Sequence, residues 1–226
     1  MKICIVIPVY NESRTIGQLV RSIRSRQLDV YVIDDGSTDN SGSIARASGA
    51  VIIHHDRRRG KGHSLREGFR QIVQRGYDGV ITMDGDGQHD VDDIGQFIER
   101  TQKDKICIIT GNRMSNPKGM PVLRYFTNWC MSKLISWACR QTIADTQCGY
   151  RYISSRILED INLRSDDFEI ESEILIQGCR KGYPVYSLPV KTIYRDEKSQ
   201  INPFKDTFRF IKYFLKAIKK DSRSYS

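Results

Sequence analysis

Short apolar runs alternate with segments of helical periodicity along the first half of this chain, and this alternation constrains the fold most strongly. The apolar runs occupy residues 3–8, 30–34, 51–54, 79–83 and 106–110. After the first run, apolar side chains recur at helical spacing at Ile16, Leu19, Val20 and Ile23. Strands that alternate with helices predict an α/β fold in which helices flank a mostly parallel sheet.

The second half of the chain follows a less regular pattern. It predicts helices over residues 123–140 and 169–181, a polar turn over 145–149 and a strand over 185–190. A chain of 226 residues can bury one sizeable core and still carry an appendage. We therefore expect one domain over residues 1–200 and a separate C-terminal segment over residues 201–226.

Composition and cysteine spacing narrow the class of protein. The chain is 39% apolar and 28% charged, as globular domains are, and no apolar run approaches the ~18 residues that span a bilayer. The apolar run after Met1 and Lys2 is too short for the apolar region of a signal peptide, so we expect it to be a strand. The six cysteines form no C-x-x-C pair, which argues against a zinc site built from cysteines. We expect a cytoplasmic setting.

Polar side chains follow three of the predicted strands at the point where each strand ends. The clusters are YNE at residues 10–12, DDGS at residues 34–37 and DGDGQ at residues 84–88. In open α/β sheets, ligands bind beyond the carboxyl ends of the strands. We therefore expect the three clusters to form one site at an edge of the sheet.

The DGDGQ segment carries the strongest chemical signal. Its alternation places the oxygen-bearing side chains of Asp84, Asp86 and Gln88 on one side of an extended turn, with glycines between them. Such ligands suit a hard cation such as Mg²⁺ or Mn²⁺ bound beside substrate phosphates. A calcium EF-hand loop is excluded because His89 stands where that loop needs glycine. A solvated Asp-Gly turn is the simpler alternative.

Basic residues near turns supply candidate phosphate contacts. Lys61 lies in a Gly-rich turn before a predicted helix, where its ammonium group can reach a phosphate. An ordinary helix start is the alternative, and Leu65 replaces the third glycine of a dinucleotide fingerprint. Guanidinium groups bind phosphate oxygens through paired hydrogen bonds. Further basic candidates close to turns are Arg113, Arg151, Arg195 and Lys198.

These motifs together resemble one known family. The segments IPVYNE at residues 7–12, VIDDGSTD at residues 32–39 and DGDGQ at residues 84–88 resemble the signatures of family 2 glycosyltransferases. Within that family the chain is similar to the polyprenyl-phosphate (dolichyl-phosphate) mannose and glucose synthases. DTQCGYR at residues 145–151 is most similar to the glucose-synthase version, and FEIE at residues 168–171 fits the later acidic helix of the family. The resemblance implies a GT-A fold, a Rossmann-like domain that binds a nucleotide sugar.

The resemblance also implies roles for the matching residues on the donor side of the site. The residues that would line the nucleotide pocket are Pro8, Tyr10 and Glu12. Asp35 would lie near the base, and Asp84 would face the ribose. Asp86 and Gln88 would hold Mg²⁺ or Mn²⁺ on the diphosphate, which makes Asp86 a catalytic residue.

The implied reaction inverts the anomeric carbon of a hexose in one displacement from a donor of the UDP-glucose or GDP-mannose type. Arg113 and Arg151 match conserved basic positions, and with the metal they would stabilise the departing nucleoside diphosphate. Arg195 and Lys198 lie where a late basic residue closes over the phosphates. A lipid monophosphate acceptor, with a second pKa of about 6, would need no general base. A hydroxyl acceptor would need one, and Asp145 is the candidate.

The C-terminal segment bears on the acceptor. Over residues 203–220 an apolar stripe consists of Phe204, Phe208, Ile211, Leu215 and Ile218. A parallel basic stripe consists of Lys205, Arg209, Lys212, Lys216 and Lys219. This pattern predicts a helix that lies on an anionic membrane surface, which would make the enzyme peripheral on the cytoplasmic face. Packing of the helix on the domain, or on a second copy in a homo-oligomer, is the alternative.

Two other functions compete with a glycosyltransferase. A nucleotidyltransferase also uses aspartate, Mg²⁺ and a nucleotide on a similar sheet, but it releases pyrophosphate from a triphosphate. The formal net charge of +9 is compatible with a nucleic-acid-binding module. We rank that module low and expect no nucleic-acid partner, because the densest basic stripe is amphipathic and the edge of the sheet is acidic.

Overall fold

The structure, a computed structural model, describes residues 1–193. The strands of this part are β1 (Ile3–Val9), β2 (Asp29–Asp34), β3 (Val51–His54), β4 (Gly79–Thr82), β5 (Ile108–Asn112), β6 (Arg151–Ser154) and β7 (Val185–Pro189). Its helices are α1 (Ile16–Arg24), α2 (Ser41–Ala47), α3 (Lys61–Gln74), α4 (Ile94–Lys103), α5 (Val122–Cys139), α6 (Ser155–Asp160) and α7 (Ile170–Arg180). The predicted helix over residues 203–220, Arg195 and Lys198 lie outside the described residues.

All of the strands join one sheet in the order β3-β2-β1-β4-β6-β5-β7. The pairs β1–β2, β1–β4, β2–β3 and β5–β7 are parallel, whereas β6 runs antiparallel to both of its neighbours. This arrangement confirms the predicted α/β fold with a mostly parallel sheet. It also places β1, β2 and β4 side by side, so the polar segments that follow them share one edge.

The core forms two layers because successive side chains of a strand point to opposite faces of the sheet. On one face, Cys4 and Val6 of β1 pack with apolar residues of α3, α5, α6 and α7. On the other face, Ile5 and Ile7 pack with α1, α2 and α4. The helical spacing of Ile16, Leu19, Val20 and Ile23 follows from this packing, since all four side chains are buried. Within residues 1–193, no helix is both long and apolar enough to cross a bilayer.

Two stretches differ from the sequence-based prediction. The strand β6 and the helix α6 follow the polar turn directly, and neither was predicted. The run RYIS is only four residues long and begins with a charged side chain, so its burial has no period-2 signature. The fifth strand begins at Ile108 instead of residue 106, because Lys105 and Ile106 are exposed before the sheet begins.

Candidate active site

The DGDGQ segment follows β4 at the centre of the sheet. The hydroxyl of Thr15 donates to the Gly85 carbonyl over 2.6 Å, which ties the segment to the start of α1. Gly87 adopts a positive φ of 71°, a conformation that favours glycine. A side chain at Gly149 would also fall 2.6 Å from Asp84 Oδ2. Glycines at these two positions therefore let the chain turn and approach the Asp84 carboxylate closely.

Two ion pairs that share Lys61 lie at this edge of the sheet. The Lys61 ammonium group lies 2.5 Å from Asp84 Oδ1 and 2.7 Å from Glu171 Oε1. Burial opposes the charge on Lys61, but Asp84 and Glu171 outweigh it and raise the Lys61 pKa. The same attraction, with help from His89, overcomes burial and holds the pKa of Asp84 well below its usual range. Lys61 and Asp84 therefore stay charged and fix each other at neutral pH.

Asp86 differs from its neighbour Asp84. Its Oδ1 accepts from the Gln88 backbone N–H over 2.9 Å, but among residues 1–193 no salt bridge involves its carboxylate. Burial, and then repulsion from Asp84, raises the Asp86 pKa. A partly buried carboxylate that pairs with no cation among the described residues, beside a second carboxylate, fits a hard divalent cation such as Mg²⁺ or Mn²⁺. The roles of Asp86 and Gln88 as metal ligands stay a prediction.

His89 also contacts this segment, although the sequence drew attention to it only as a residue that excludes an EF-hand. Its Nε2 lies 3.2 Å from Asp84 Oδ2, and its ring packs against Tyr150 at 5.0 Å. Within the described residues its buried Nδ1 has no hydrogen-bond partner. His89 therefore orients Asp84 from the side opposite to Lys61.

Asp35 holds a loop instead of standing open to solvent. It is 3% exposed, and its carboxylate accepts from the backbone N–H groups of Arg59 and Gly60, each over 2.8 Å. The Nδ1 of the buried His55 lies 2.9 Å from the same carboxylate. Both oxygens therefore hold the loop in place, and the contact of Asp35 with a base stays a prediction.

The other predicted nucleotide-pocket residues lie at the end of β1. The Arg58 guanidinium stacks 4.1 Å from the centre of the Tyr10 ring, an arrangement that also suits a planar base. The Glu12 backbone N–H donates to Ser41 Oγ over 2.8 Å, which fixes the turn after β1. The carbonyl of Pro8 lies within van der Waals distance of the Cβ position at Gly85. The structure thus brings Pro8, Tyr10 and Glu12 to the edge that also carries the DGDGQ segment.

Arg113 and Asp145 form a closed ion pair. Arg113 Nε donates to Asp145 Oδ2 over 2.8 Å, and Nη2 donates to Oδ1 over 3.1 Å. Asp145 is fully buried and Arg113 is 6% exposed. Burial opposes both charges, but the pair lowers the pKa of Asp145 and raises that of Arg113. With both oxygens bound and its pKa lowered, Asp145 is poorly placed to act as a general base in this conformation.

Arg151 is buried among backbone carbonyls, and its role toward the diphosphate stays a prediction. It is 1% exposed, and its guanidinium donates to the carbonyls of Thr146, Cys148 and Glu171 over 2.5–2.7 Å. Burial lowers its pKa. In this conformation the side chain braces the turn before β6 against the first turn of α7. Arg151 therefore positions Glu171, which in turn pairs with Lys61.

Two groups near the site were not predicted as contacts. Glu171 belongs to the FEIE segment, so the resemblance marked its helix but not its ion pair with Lys61. The sequence did not single out His55, because a lone histidine at the end of a strand is not typical of any particular function. Burial also lowers the pKa of the nearby His63, with a further contribution from the proximity of His55.

The helix α5 buries one face in the core and leaves several large aromatic side chains exposed. Phe126, Trp129 and Trp137 are 61%, 46% and 68% exposed, and the Lys133 ammonium group lies 5.9 Å from the centre of the Trp129 ring. The helix begins shortly after Arg113, on the loop that leaves the carboxyl end of β5. An exposed aromatic surface therefore starts close to the site.

Two curated proteins are similar to this chain over most of its length. A UDP-N-acetylglucosamine–dolichyl-phosphate N-acetylglucosaminyltransferase from Methanococcus voltae is 28% identical over 217 residues, which cover 86% of each chain. An undecaprenyl-phosphate mannosyltransferase from Micrococcus luteus is 25% identical over 210 residues, which cover 87% of this chain and 85% of the relative.

A solved structure shares the fold. Glucosyl-3-phosphoglycerate synthase from Mycobacterium tuberculosis, crystallised with Mn²⁺, UDP and phosphoglyceric acid, matches with a TM-score of 0.73 at 18% identity, covering 96% of this chain and 77% of that chain. This likeness confirms the GT-A fold. The sequence model of the family described as "Glycosyl transferase family 2" matches residues 4–161, which is more than half of the chain. With the fold and the DGDGQ segment in place, the chain belongs to glycosyltransferase family 2.

Proposed function

We propose that this glycosyltransferase moves a hexose, with inversion, from a nucleotide sugar to a polyprenyl-phosphate acceptor in a metal-dependent reaction. The observation that carries the proposal is the contrast, within residues 1–193, between the ion-paired Asp84 and the partly buried Asp86, which forms no salt bridge there. Such a site can hold a cation against a diphosphate, while Asp84 stays in position to accept a hydrogen bond from a ribose hydroxyl.

The donor side of the site would work as follows. Tyr10 and Arg58 offer a stacked surface for the base, and Asp84, fixed between Lys61 and His89, would accept from a ribose hydroxyl. A divalent ion held by Asp86 and Gln88 would supply positive charge to the leaving diphosphate. Arg195 and Lys198, outside the described residues, remain candidates for further phosphate contacts.

The acceptor side favours a phosphate nucleophile. A phosphate monoester with a pKa of about 6 is mostly ionised at neutral pH and needs no base. This matches the closed Arg113–Asp145 pair, in which Asp145 is not free to remove a proton. The relatives from Methanococcus voltae and Micrococcus luteus are named for dolichyl-phosphate and undecaprenyl-phosphate acceptors.

The exposed face of α5 supports a membrane-bound acceptor. Tryptophan and other aromatic side chains collect at membrane interfaces, where an apolar body and a polar edge are both accommodated. In our proposal Phe126, Trp129 and Trp137 contact the lipid surface beside the site. The amphipathic segment over residues 203–220 forms a second, basic contact, and the division into residues 1–200 and 201–226 follows from this role. The enzyme would then be peripheral on the cytoplasmic face of the membrane.

The proposal is tested by offering the full chain two acceptors that differ in one group. Undecaprenyl phosphate and undecaprenol are each incubated in detergent with Mn²⁺ and with UDP-glucose, UDP-N-acetylglucosamine or GDP-mannose. We expect one donor to give a glycosyl phospholipid, detected by mass spectrometry, from the phosphate acceptor only. Equal transfer to undecaprenol would contradict the phosphate-acceptor proposal, and release of pyrophosphate from a nucleoside triphosphate would indicate a nucleotidyltransferase. The Asp86→Asn variant serves as the inactive control.

A further inference from the structure

Three side chains of types that bind metals lie close together on either side of the loop over residues 56–60. The proposed reaction does not use any of them. His55 follows β3, and His63 and Glu67 lie one turn apart on α3. One ligand atom from each of the three side chains lies within 4.8 Å of the other two. His63 and Glu67 stand at i and i+4, a spacing that puts both side chains on one face of a helix.

The distances are close to those of a tetrahedral metal site. His55 Nε2 lies 3.1 Å from Glu67 Oε2, and His63 Nε2 lies 4.0 Å from the same oxygen. Tetrahedral geometry with metal–ligand bonds of about 2.1 Å places neighbouring ligand atoms about 3.4 Å apart. The two distances to Glu67 bracket this value, and the ligand atoms of the two histidines lie within 4.8 Å of each other, so side-chain movements would bring all three atoms onto one ion.

A second feature of the cluster is typical of metal sites. The Nδ1 of His55 lies 2.9 Å from the Asp35 carboxylate, and the imidazole is 3% exposed. A carboxylate that accepts from one nitrogen of a histidine fixes the ring and directs the other nitrogen toward a metal. Here the other nitrogen points at Glu67. The orientation of His55 is therefore already set by the fold.

The surrounding charges can accommodate a divalent ion. Arg59 Nη1 lies 3.2 Å from His63 Nε2, but Arg59 is an exposed residue and can turn away. Arg66 contacts His63 Nδ1 at 3.3 Å and pairs with Asp166 at 2.5 Å. Arg70 lies 3.8 Å from Glu67 Oε1, which leaves Glu67 Oε2 to face the histidines.

We propose that His55, His63 and Glu67 form a binding site for a zinc-type transition metal, separate from the cation site at Asp86 and Gln88. The ligand chemistry separates the two sites, since imidazole nitrogens suit Zn²⁺ while carboxylate and amide oxygens suit Mg²⁺ and Mn²⁺. Three protein ligands leave the fourth position of a tetrahedral ion for water or another small ligand.

Metal binding at this site would control the loop that borders the donor pocket. The ion would join the end of β3 to the first two turns of α3, on either side of residues 56–60. That loop supplies the two N–H groups bound to Asp35, and Lys61 follows it directly. A bound ion would therefore fix Asp35 and Lys61 without touching the substrate.

The test measures Zn²⁺ binding to the full chain, with any affinity tag removed and metals stripped by a chelator. The Asp86→Asn variant serves as the background, so that the oxygen site does not contribute. Competition against a colorimetric chelator should show one bound Zn²⁺ per chain. His63→Ala should weaken that binding by at least about 100-fold, and Glu67→Gln by at least about 10-fold, since removing a ligand exceeds the usual effect of an outer partner.

The matched control is His54→Ala, because His54 is adjacent in sequence but contacts Asp34 instead of the cluster. This variant should keep the Zn²⁺ affinity of its parent. Zn²⁺ should also raise the unfolding temperature of the Asp86→Asn and His54→Ala proteins, but not that of His63→Ala or Glu67→Gln. Circular dichroism in chelator establishes that each variant is folded. Absence of a Zn²⁺ equivalent in Asp86→Asn, or equal affinities in His63→Ala and His54→Ala, would overturn the proposal.

Discussion

Two acidic regions of this protein look alike in sequence and differ in physical state. At the end of β4, Asp86 carries a charge that no described salt bridge neutralises, and its pKa is raised. At the turn before β6, Asp145 is fully buried, paired with Arg113, and has a lowered pKa. In our proposal the carboxylate of the first region binds a cation, whereas the carboxylate of the second is already held by an ion pair within the fold. On this proposal Asp86 is a binding residue and Asp145 is a supporting one.

The largest effect is expected from Asp145→Asn. Removing one partner of a buried ion pair leaves the Arg113 charge uncompensated, which costs about 3–5 kcal/mol of unfolding free energy. Urea denaturation of the variant and the wild type measures the difference. Asp160→Asn, at an exposed aspartate paired with Lys181, should change stability little. A stable Asp145→Asn protein would remove the distinction between the two regions.

The same pair predicts a pH dependence. Because Asp145 has a lower pKa in the folded protein than in the unfolded chain, its stabilising contribution is present above the ordinary aspartate value of about 3.9. That contribution is lost as the pH falls through the folded-state pKa. The stability difference between the wild type and Asp145→Asn should therefore shrink as the pH decreases below about 3.9. A difference that grows on acidification would contradict the sign of this shift.

At the other region, Asp86→Asn should reduce activity without reducing stability. We expect kcat to fall at least about 100-fold, the scale on which lost electrostatic stabilisation of a leaving group is measured. The unfolding free energy at neutral pH should hold or rise, because the raised pKa means that the partly buried charge of Asp86 opposes folding. Steady-state kinetics and urea denaturation of one protein preparation test both statements. If the variant lost stability as well as activity, Asp86 would be a residue that supports the fold and not one that binds the metal.

The smallest effect concerns α5. Trp137→Ser removes one exposed aromatic side chain from the proposed lipid contact and should weaken vesicle binding by about 1 kcal/mol. Ile106→Ser, which removes an exposed apolar residue at the opposite end of β5, is the control and should bind as the wild type does. Sedimentation with phospholipid vesicles provides the measurement. Equal losses in both variants would mean that α5 is no preferred contact.

Much of the fold and part of the site could be predicted from sequence. Alternation of apolar runs located the strands up to β5, because a period of two or 3.6 residues leaves a clear signature. The placement of Asp84, Asp86 and Gln88 at one edge of the sheet followed from the rule that ligands bind beyond the carboxyl ends of the strands in open α/β sheets. The identity of the metal ligands and the donor remains a prediction, since binding depends on a partner that the chain alone does not contain.

The positions of the arginines could not be predicted for a different reason. Sequence shows that Arg113 and Arg151 are charged and near turns, but not which segments fold over them. Arg151 is buried by its hydrogen bonds to carbonyls from the turn before β6 and from α7. These contacts join residues up to 20 positions apart, which no local pattern records. The ion pair between Lys61 and Glu171 is hidden for the same reason.

The reversed direction of β6 has a consequence for how this enzyme can diversify. The antiparallel strand β6 starts beside the end of β4. The carbonyl of Gly149, just before β6, therefore accepts from the hydroxyl of Thr82, the last residue of β4, over 2.7 Å. The segment between β5 and β6, which includes α5, is thus anchored at both ends to the sheet. Its length and composition can therefore change while β1, β2 and β4 keep their register.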